Sequence, residues 1–183
     1  MSLVGFKAKN HPQQATKDEV DDRATVGEVF DPLNAHYGFT IDVAAAAHNT
    51  KCLRFYDKAT NGLEQSWDGE VVWCNPPYSN LWPWIDKAWR SDAVVVMLLP
   101  ANRTEQKWWH ELVEPFRDRG LGLTVEFLPG RIRFLKPGQT TIGADERPPF
   151  GCCLLVWQGH TPGSRSDQGT LDLGAATTPG DEP

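Results

Sequence analysis

Residues Glu70–Ser79, EVVWCNPPYS, decide how the rest of the chain is read. Val71, Val72 and Trp73 are β-branched or aromatic, the composition of a buried strand. The run stops at Asn75-Pro76-Pro77-Tyr78. A proline brings no N–H to a ladder and restricts the residue before it, so two in succession drive the chain out of the sheet along one stiff path. A stiff loop at the carboxyl end of a strand is where open α/β sheets carry their ligands. The Asn75 side-chain oxygen and the Pro76 carbonyl are both acceptors, and side by side they can take the two hydrogens of an exocyclic amino group. That grip draws the nitrogen out of planarity and frees its lone pair for attack. Tyr78 can stack on the ring that bears the amino group, a contact worth roughly 1–3 kcal/mol. Asn-Pro-Pro alone would favour a rigid turn in which Asn caps the following segment. The apolar strand before it and a helix after it favour the functional reading.

Working outward, a second candidate lies at the end of another short strand, Phe39–Val43. There Asp42 is followed by Ala44–Ala47, His48 and Asn49. A carboxylate at that point can hold the amino group of a cofactor, with small residues leaving room for its body; Asp also caps helix N-termini well. In a parallel sheet, Asp42 and the Asn-Pro-Pro-Tyr loop open on the same edge. Ala93–Leu99 is continuously apolar, as a strand buried on both faces would be, and it too meets a proline, Pro100.

The remaining pattern supplies helices and late strands. Thr25-x-x-Glu28 has the form of a capping box, and Val26, Val29, Phe30, Leu33 and Tyr37 follow at helical spacing up to Gly38. Pro83 suits the first turn of a helix carrying Trp84, Ile85, Ala88 and Trp89. Another helix is predicted from about Thr104 to Val113, with Trp108 and Leu112 facing inward. Asn61-Gly62 marks a turn within a stretch where Leu53, Phe55 and Tyr56 suit a strand. Strands are predicted at Leu123–Leu128, Arg131–Leu135 and Phe150–Trp157. This order implies an α/β fold with a mainly parallel sheet and an antiparallel edge. No GxGxxG or GxxxxGK[ST] motif is present, which argues against an ordinary dinucleotide or P-loop site.

At 183 residues the chain fits one domain, predicted over residues 23–157. Met1–Asp22 reads as a polar extension and residues 158–183 as a disordered tail. The net charge of −6 disfavours a non-specific basic coat on nucleic acid, although a local basic rim remains compatible with it. The four cysteines, Cys52, Cys74, Cys152 and Cys153, show no metal-ligand spacing and read as reduced and mostly buried. No apolar run approaches the roughly 20 residues a membrane span needs, and no signal-peptide pattern opens the chain, so the cytoplasm is the default compartment.

With these stretches in view, the chain resembles the phage-encoded DNA N6-adenine methyltransferases. The resemblance runs from about Asp21 to Trp157 and rests on IDVAAAAHN, SWDG-VVWCNPPYS followed by WIDKA, LLPANRTEQKWWH and FLPGRIRF. It implies a Rossmann-like methyltransferase fold, S-adenosylmethionine as methyl donor, and adenine in double-stranded DNA as acceptor, inside a bacterial or phage-infected host cell. It makes Asn75, Pro76, Pro77 and Tyr78 the catalytic loop. It places Thr25, Asp42, Ala44, Asn49 and Asn61 on the donor side. Where the family tends to open with Asp-Glu-Trp-Tyr-Thr-Pro, residues 21–26 read DDRATV, which keeps Thr25. Asn61 stands where the family tends to have an acidic residue near the donor's adenine.

An adenine within a duplex must be flipped out to reach such a loop, at a cost of a few kcal/mol. Trp82 is the nearest aromatic that can offset it. Arg103 and Lys107, beyond the second proline-ended strand, can meet phosphates, as can Arg131 and Arg133, which would share one face of a strand. For these four cations a solvated surface role is an equal alternative. Related Asn-Pro-Pro-Tyr loops also methylate RNA amino groups and protein amides, and an idle binding module would keep the same fold. Specificity would have to come from loops such as Gly138–Pro149 or from the extension. Oligomeric state is not readable.

Overall fold

The computed structural model describes residues 21–139 and 150–159. Nearly all of the predicted extension, most of the Gly138–Pro149 loop and the tail beyond residue 159 lie outside the described residues.

The first described elements form one layer. Strand β1 (Ala24–Thr25) leads into helix α1 (Gly27–Tyr37). The predicted capping box does not form: Val26 is the N-cap, no side chain caps the helix, and Thr25 is held in an extended strand, 1% exposed. Pairing overrides the local cap, because β1 is drawn antiparallel onto β6 (Phe134–Leu135), with Thr25 opposite Phe134. The end of α1 follows the sequence. Gly38 takes the left-handed conformation and donates its N–H to the Asn34 carbonyl, which a residue with a Cβ would resist.

The main sheet contains β2 (Ile41–Asp42), β3 (Val71–Cys74), β4 (Val94–Pro100), β5 (Leu123–Phe127) and β7 (Cys152–Trp157), in the order β2-β3-β4-β7-β5. β2, β3 and β4 are parallel, whereas β7 runs antiparallel to both of its neighbours, β4 and β5. The expected mainly parallel sheet is therefore mixed. The cause is where the last strand inserts. All six residues of β7 are buried, so it belongs inside the sheet, and it returns between β4 and β5. β5 exposes Thr124, Glu126 and Phe127 and takes the edge.

Helix α2 (Trp82–Arg90) and helix α3 (Lys107–Leu112) complete the elements. Strand alternation divides the core in two. Val72, Cys74, Val95, Met97, Leu99, Cys153, Leu155 and Trp157 point toward α2 and α3, where Trp84, Ile85, Ala88, Trp108 and Leu112 meet them. Trp73, Val96, Leu98, Cys152, Leu154 and Val156 point the other way, toward Val26 and Phe30 of the α1 layer and Phe134 of β6. The central strands β3, β4 and β7 are thus covered on both faces, while β5 at the edge is exposed on one.

The long connection between β2 and β3 departs from the expected elements. The alanines after Asp42 do not begin a helix. One turn forms, in which the Ala46 carbonyl accepts from the N–H groups of Asn49 and Thr50, and the Asn49 side chain closes it by accepting from Ala46 N–H at 2.6 Å. The expected strand near Leu53–Tyr56 shrinks to a single parallel bridge between Phe55 and Asp42, with Leu53 fully exposed. The Asn61-Gly62 turn does form, with Asn61 at φ 50°. Gly62 is pressed against the tip of β2, where an added Cβ would collide with the Val43 carbonyl. Gly62→Ala is accordingly expected to destabilise the fold by about 3 kcal/mol, within the cost of overpacking a tight contact. A thermal melt checks it, and an unchanged melting temperature would mean that the turn can withdraw freely.

Candidate active site

Parallel pairing sets Asp42 opposite Trp73, and Val43 N–H donates to the Trp73 carbonyl at 3.1 Å. The ends of β2 and β3 therefore open side by side, as the sequence implied. Asn75 to Tyr78 leave the sheet directly beside the turn at Ala44–Asn49.

Asn75 has a defined orientation. Its Nδ2 donates to the Arg23 backbone carbonyl at 3.3 Å. A carbonyl only accepts, so the amide nitrogen must face Arg23 and the oxygen Oδ1 must face the other way. Among the described residues nothing donates to that oxygen or to the Pro76 carbonyl. Two acceptors of the loop thus have no donor among the described residues. Tyr78 is half-buried, its hydroxyl fully sunk and without a hydrogen-bond partner among the described residues. Burial foremost pushes its phenol well above the usual range, so it stays protonated. Phe134 and Phe150 hold its ring edge-to-face, with centroids at 6.3 and 6.1 Å.

Asp42 is 3% exposed and faces inward to its own loop. Its carboxylate accepts from Lys51 N–H at 3.0 Å and from Ala44 N–H at 3.4 Å. Burial pushes its pKa up to about 6, against the lowering effect of these two N–H groups and the Lys51 charge. Asp42 thus organises its own loop at the strand end and caps no helix, since none follows it.

The other candidate residues fall into two groups. Asn49 stands at the end of the turn after β2, and its Nδ2 donates to Asp22 Oδ1 at 2.8 Å. Thr25, behind the Asn75–Arg23 contact, buries a hydroxyl oxygen that has no partner among the described residues. Asn61 is occupied within its own turn, donating to Glu64 at 2.6 Å. On the far side, Arg103 donates to the Tyr78 carbonyl at 2.6 Å and so braces the loop. Lys107 lies 5.3 Å from the Trp82 ring centroid and 3.6 Å from Glu111. Arg131 and Arg133 do not share a strand: the two-residue β1 offers partners only to Phe134 and Leu135. Arg131 is exposed and Arg133 partly so, while Ile132 between them is buried.

Composition alone did not single out several residues that touch the site. Ser79 donates to Asp21 Oδ2 at 2.6 Å, and His48 Nε2 lies 2.9 Å from Asp22 Oδ1. The acidic pair had read as the end of the polar extension. The signal that could have found it is the run of complementary donors, His48, Asn49 and Ser79, on the two loops it meets. Phe134 and Phe150 had read only as strand residues.

A cavity of about 140 Å³ opens between Asp22, Ala24, His48–Lys51 and the Leu135–Gln139 segment. Pockets that bury a whole drug-sized ligand start at roughly 300 Å³, so this cleft takes only part of a nucleoside-sized molecule as it stands. Among the described residues there is no group of three His, Cys, Asp or Glu able to hold a metal ion, and no helix is long and apolar enough to cross a membrane.

This is a mixed α/β protein whose site is built from neighbouring parallel strand ends, one bearing a carboxylate and the other an amide held oxygen-outward. The chain belongs to the DNA N-6-adenine-methyltransferase (Dam) family, whose model matches residues 13–166. It is 34% identical over 99 residues to the DNA N-6-adenine-methyltransferase of Haemophilus phage HP1 (strain HP1c1), covering 51% of this chain and 57% of that protein. It is 36% identical over 102 residues to the DNA N-6-adenine-methyltransferase of Escherichia phage T1, covering 52% of this chain and 42% of that protein. The chain thus spans about half the length of these relatives.

Proposed function

We propose that this protein transfers a methyl group from S-adenosylmethionine to the N6 amino group of adenine in double-stranded DNA. Family membership supports the reaction class, and the orientation of Asn75 supports the site. A Rossmann-like methyltransferase fold is part of the same proposal: β2, β3 and β4 supply its parallel half, and the donor and acceptor sites meet at their carboxyl ends.

The bound donor supplies an electrophilic methyl on a sulfonium. The chain's own groups do the rest. Asn75 Oδ1 and the Pro76 carbonyl accept the two N6 hydrogens of a flipped adenine, localising its lone pair on nitrogen. Tyr78 stacks on the base, its orientation maintained by Phe134 and Phe150. Attack needs no prior deprotonation, because the nitrogen becomes cationic as the new bond forms and its proton leaves afterwards. Arg103 steadies the loop through the Tyr78 carbonyl. In this reading Trp82 and Lys107, on the adjoining surface, meet the distorted strand, with Arg131 and Arg133 as further phosphate contacts.

The donor fits the chemistry of the neighbouring groups. Asp42 brings a carboxylate for its ammonium, Ala44 keeps the turn narrow, and Asn49, Asn61 and Thr25, whose hydroxyl has no partner among the described residues, offer polar contacts. Of these five residues Asn49 lines the 140 Å³ cleft and the other four do not, so in this reading the cleft holds one end of the donor and widens to take the rest.

Labelled methyl transfer to duplex DNA, RNA and protein separates this reading from its relatives. Label in DNA is the expected result, and label only in RNA or protein would replace DNA as the substrate. Donor binding should also depend on pH. The folded-state pKa of Asp42 is raised, so the native state takes up this proton as pH falls through about 6. Its contribution to stability therefore grows between about 6 and its ordinary value of 3.8, and is lost again above about 6. In the folded protein Asp42 itself loses its charge as pH falls through about 6. Calorimetric affinity for the donor should weaken from neutral pH downward, by up to about tenfold per unit below the midpoint. Asp42→Asn should bind weakly and without that dependence. An equal pH response in wild type and Asp42→Asn would assign the titration elsewhere.

A further inference from the structure

We propose that Asp21, Asp22 and Arg23 form a positioning strap that couples the donor-side turn to the catalytic loop and sets the Asn75 amide with its oxygen toward substrate. The inference deepens the methyl-transfer reading and rests on it for the word substrate; the coupling itself does not.

Three consecutive residues reach three points on the two loops. The Asp21 carboxylate accepts from Ser79 at 2.6 Å, at the exit of the loop. The Arg23 carbonyl accepts from Asn75 at 3.3 Å, at its entrance. Between them, the Asp22 carboxylate accepts from Asn49 Nδ2 at 2.8 Å and meets His48 Nε2 at 2.9 and 3.0 Å, on the donor side. The strap is itself folded tightly, with Arg23 N–H donating to the Asp21 carbonyl at 3.1 Å and Arg23 Nη1 to the Asp22 carbonyl at 3.2 Å.

The geometry does more than hold two loops together. An asparagine amide presents a donor at one end and an acceptor at the other, and two rotations exchange them. Only the orientation with Oδ1 outward can accept from an amino group. A backbone carbonyl beside Nδ2 rejects the opposite orientation, since two oxygens would face each other. Arg23 supplies that carbonyl, and β1 fixes the chain immediately after it through the pairing of Ala24 with Leu135. The carboxylate one residue earlier fastens the same backbone to the turn at His48–Asn49. Widening the donor cleft moves Asp22, which lines it, and so bears on the Arg23 carbonyl. Occupancy of the donor side and orientation of the catalytic amide are thereby linked, a form of preorganisation in which a misplaced acceptor is costly.

Asp22 touches neither reacting atom, so it is a positioning residue. Its test compares Asp22→Ala with Asp22→Asn, whose side-chain oxygen can still accept from Asn49 and His48. Single-turnover methyl transfer to duplex DNA is read alongside the Asn75 side-chain amide signals in ¹⁵N NMR, assigned by their loss in Asn75→Ala. Asp22→Ala should shift those signals and slow transfer by at least about tenfold, and Asp22→Asn should restore both to near wild type. Thermal melts accompany each variant. If Asp22→Ala does not fold, Ser79→Ala releases the other end of the strap and should shift the same signals. Unchanged amide signals with unchanged transfer would overturn the strap, as would equal losses in Asp22→Ala and Asp22→Asn. Shifted signals in a protein whose wild type labels no DNA would keep the coupling and remove the methyl-transfer reading.

Discussion

Replacing Asn75 with alanine is expected to lower methyl transfer by roughly 10²–10³-fold, the range seen when one preorganised hydrogen-bonding group is removed from a transition state. The acceptor matters because charge develops on the adenine nitrogen only as the methyl arrives. Asn75 Oδ1 faces outward at the end of β3, and losing it leaves only the Pro76 carbonyl to receive two N–H groups. Donor affinity should change little, since Asp42 and Asn49 hold the neighbouring turn independently of Asn75. A kinetic series at saturating donor, paired with calorimetry, separates the two effects. Loss of donor binding together with turnover would make Asn75 a structural residue of the cleft.

The second large effect lies one layer deeper. Trp73→Ala is expected to destabilise the protein by about 3–5 kcal/mol, the cost of truncating a buried aromatic. Trp73 is 1% exposed and meets Phe30 and Phe39 at 5.3 and 5.4 Å between ring centroids. For a chain of this size that corresponds to a fall in melting temperature of roughly 10 °C, measurable by calorimetry. The consequence extends to the site. Trp73 is the partner of Asp42 in the sheet and lies two residues before Asn75, so repacking its cavity moves both strand ends. Turnover at a temperature where the variant is still folded should therefore fall as well. Undiminished turnover there would mean the loop is positioned by its prolines and Arg103 alone.

Much of this site was readable from residues because its parts are local. Prolines impose the exit of β3, β-branched residues mark the strand, and Gly38 ends α1 by the one backbone conformation it favours. The family resemblance then gave the loop its proposed substrate. Sheet direction was less accessible, since it depends on where the final strand inserts rather than on any local pattern. A signal was nevertheless present. CCLLVW at Cys152–Trp157 is apolar throughout, the mark of an interior strand, whereas LTVEF at Leu123–Phe127 alternates as an edge strand does. Weighed together, they put β7 inside β5.

Other misreadings share a cause. Thr25-x-x-Glu28 has the spacing of a capping box, but pairing of Thr25 with Phe134 claims the residue first. Arg131 and Arg133 alternate as a strand would, yet β1 is too short to extend the ladder to them. The Asp21–Arg23 strap escaped notice because its meaning is wholly tertiary. Two acidic residues after a polar stretch look like solvated surface until His48, Asn49, Asn75 and Ser79 are seen around them. In each case the deciding contact is distant in sequence, and short-range patterns carry no information about it.

The most direct measurement uses donor bearing an isotopically heavy methyl group, incubated with the protein and unmodified duplex DNA. Mass spectrometry of the nucleosides released by digestion then identifies the product. Heavy N6-methyladenine with wild type, reduced to background with Asn75→Ala, is the predicted result. Heavy methyl on another base, or none on DNA while the protein still binds donor, would contradict it.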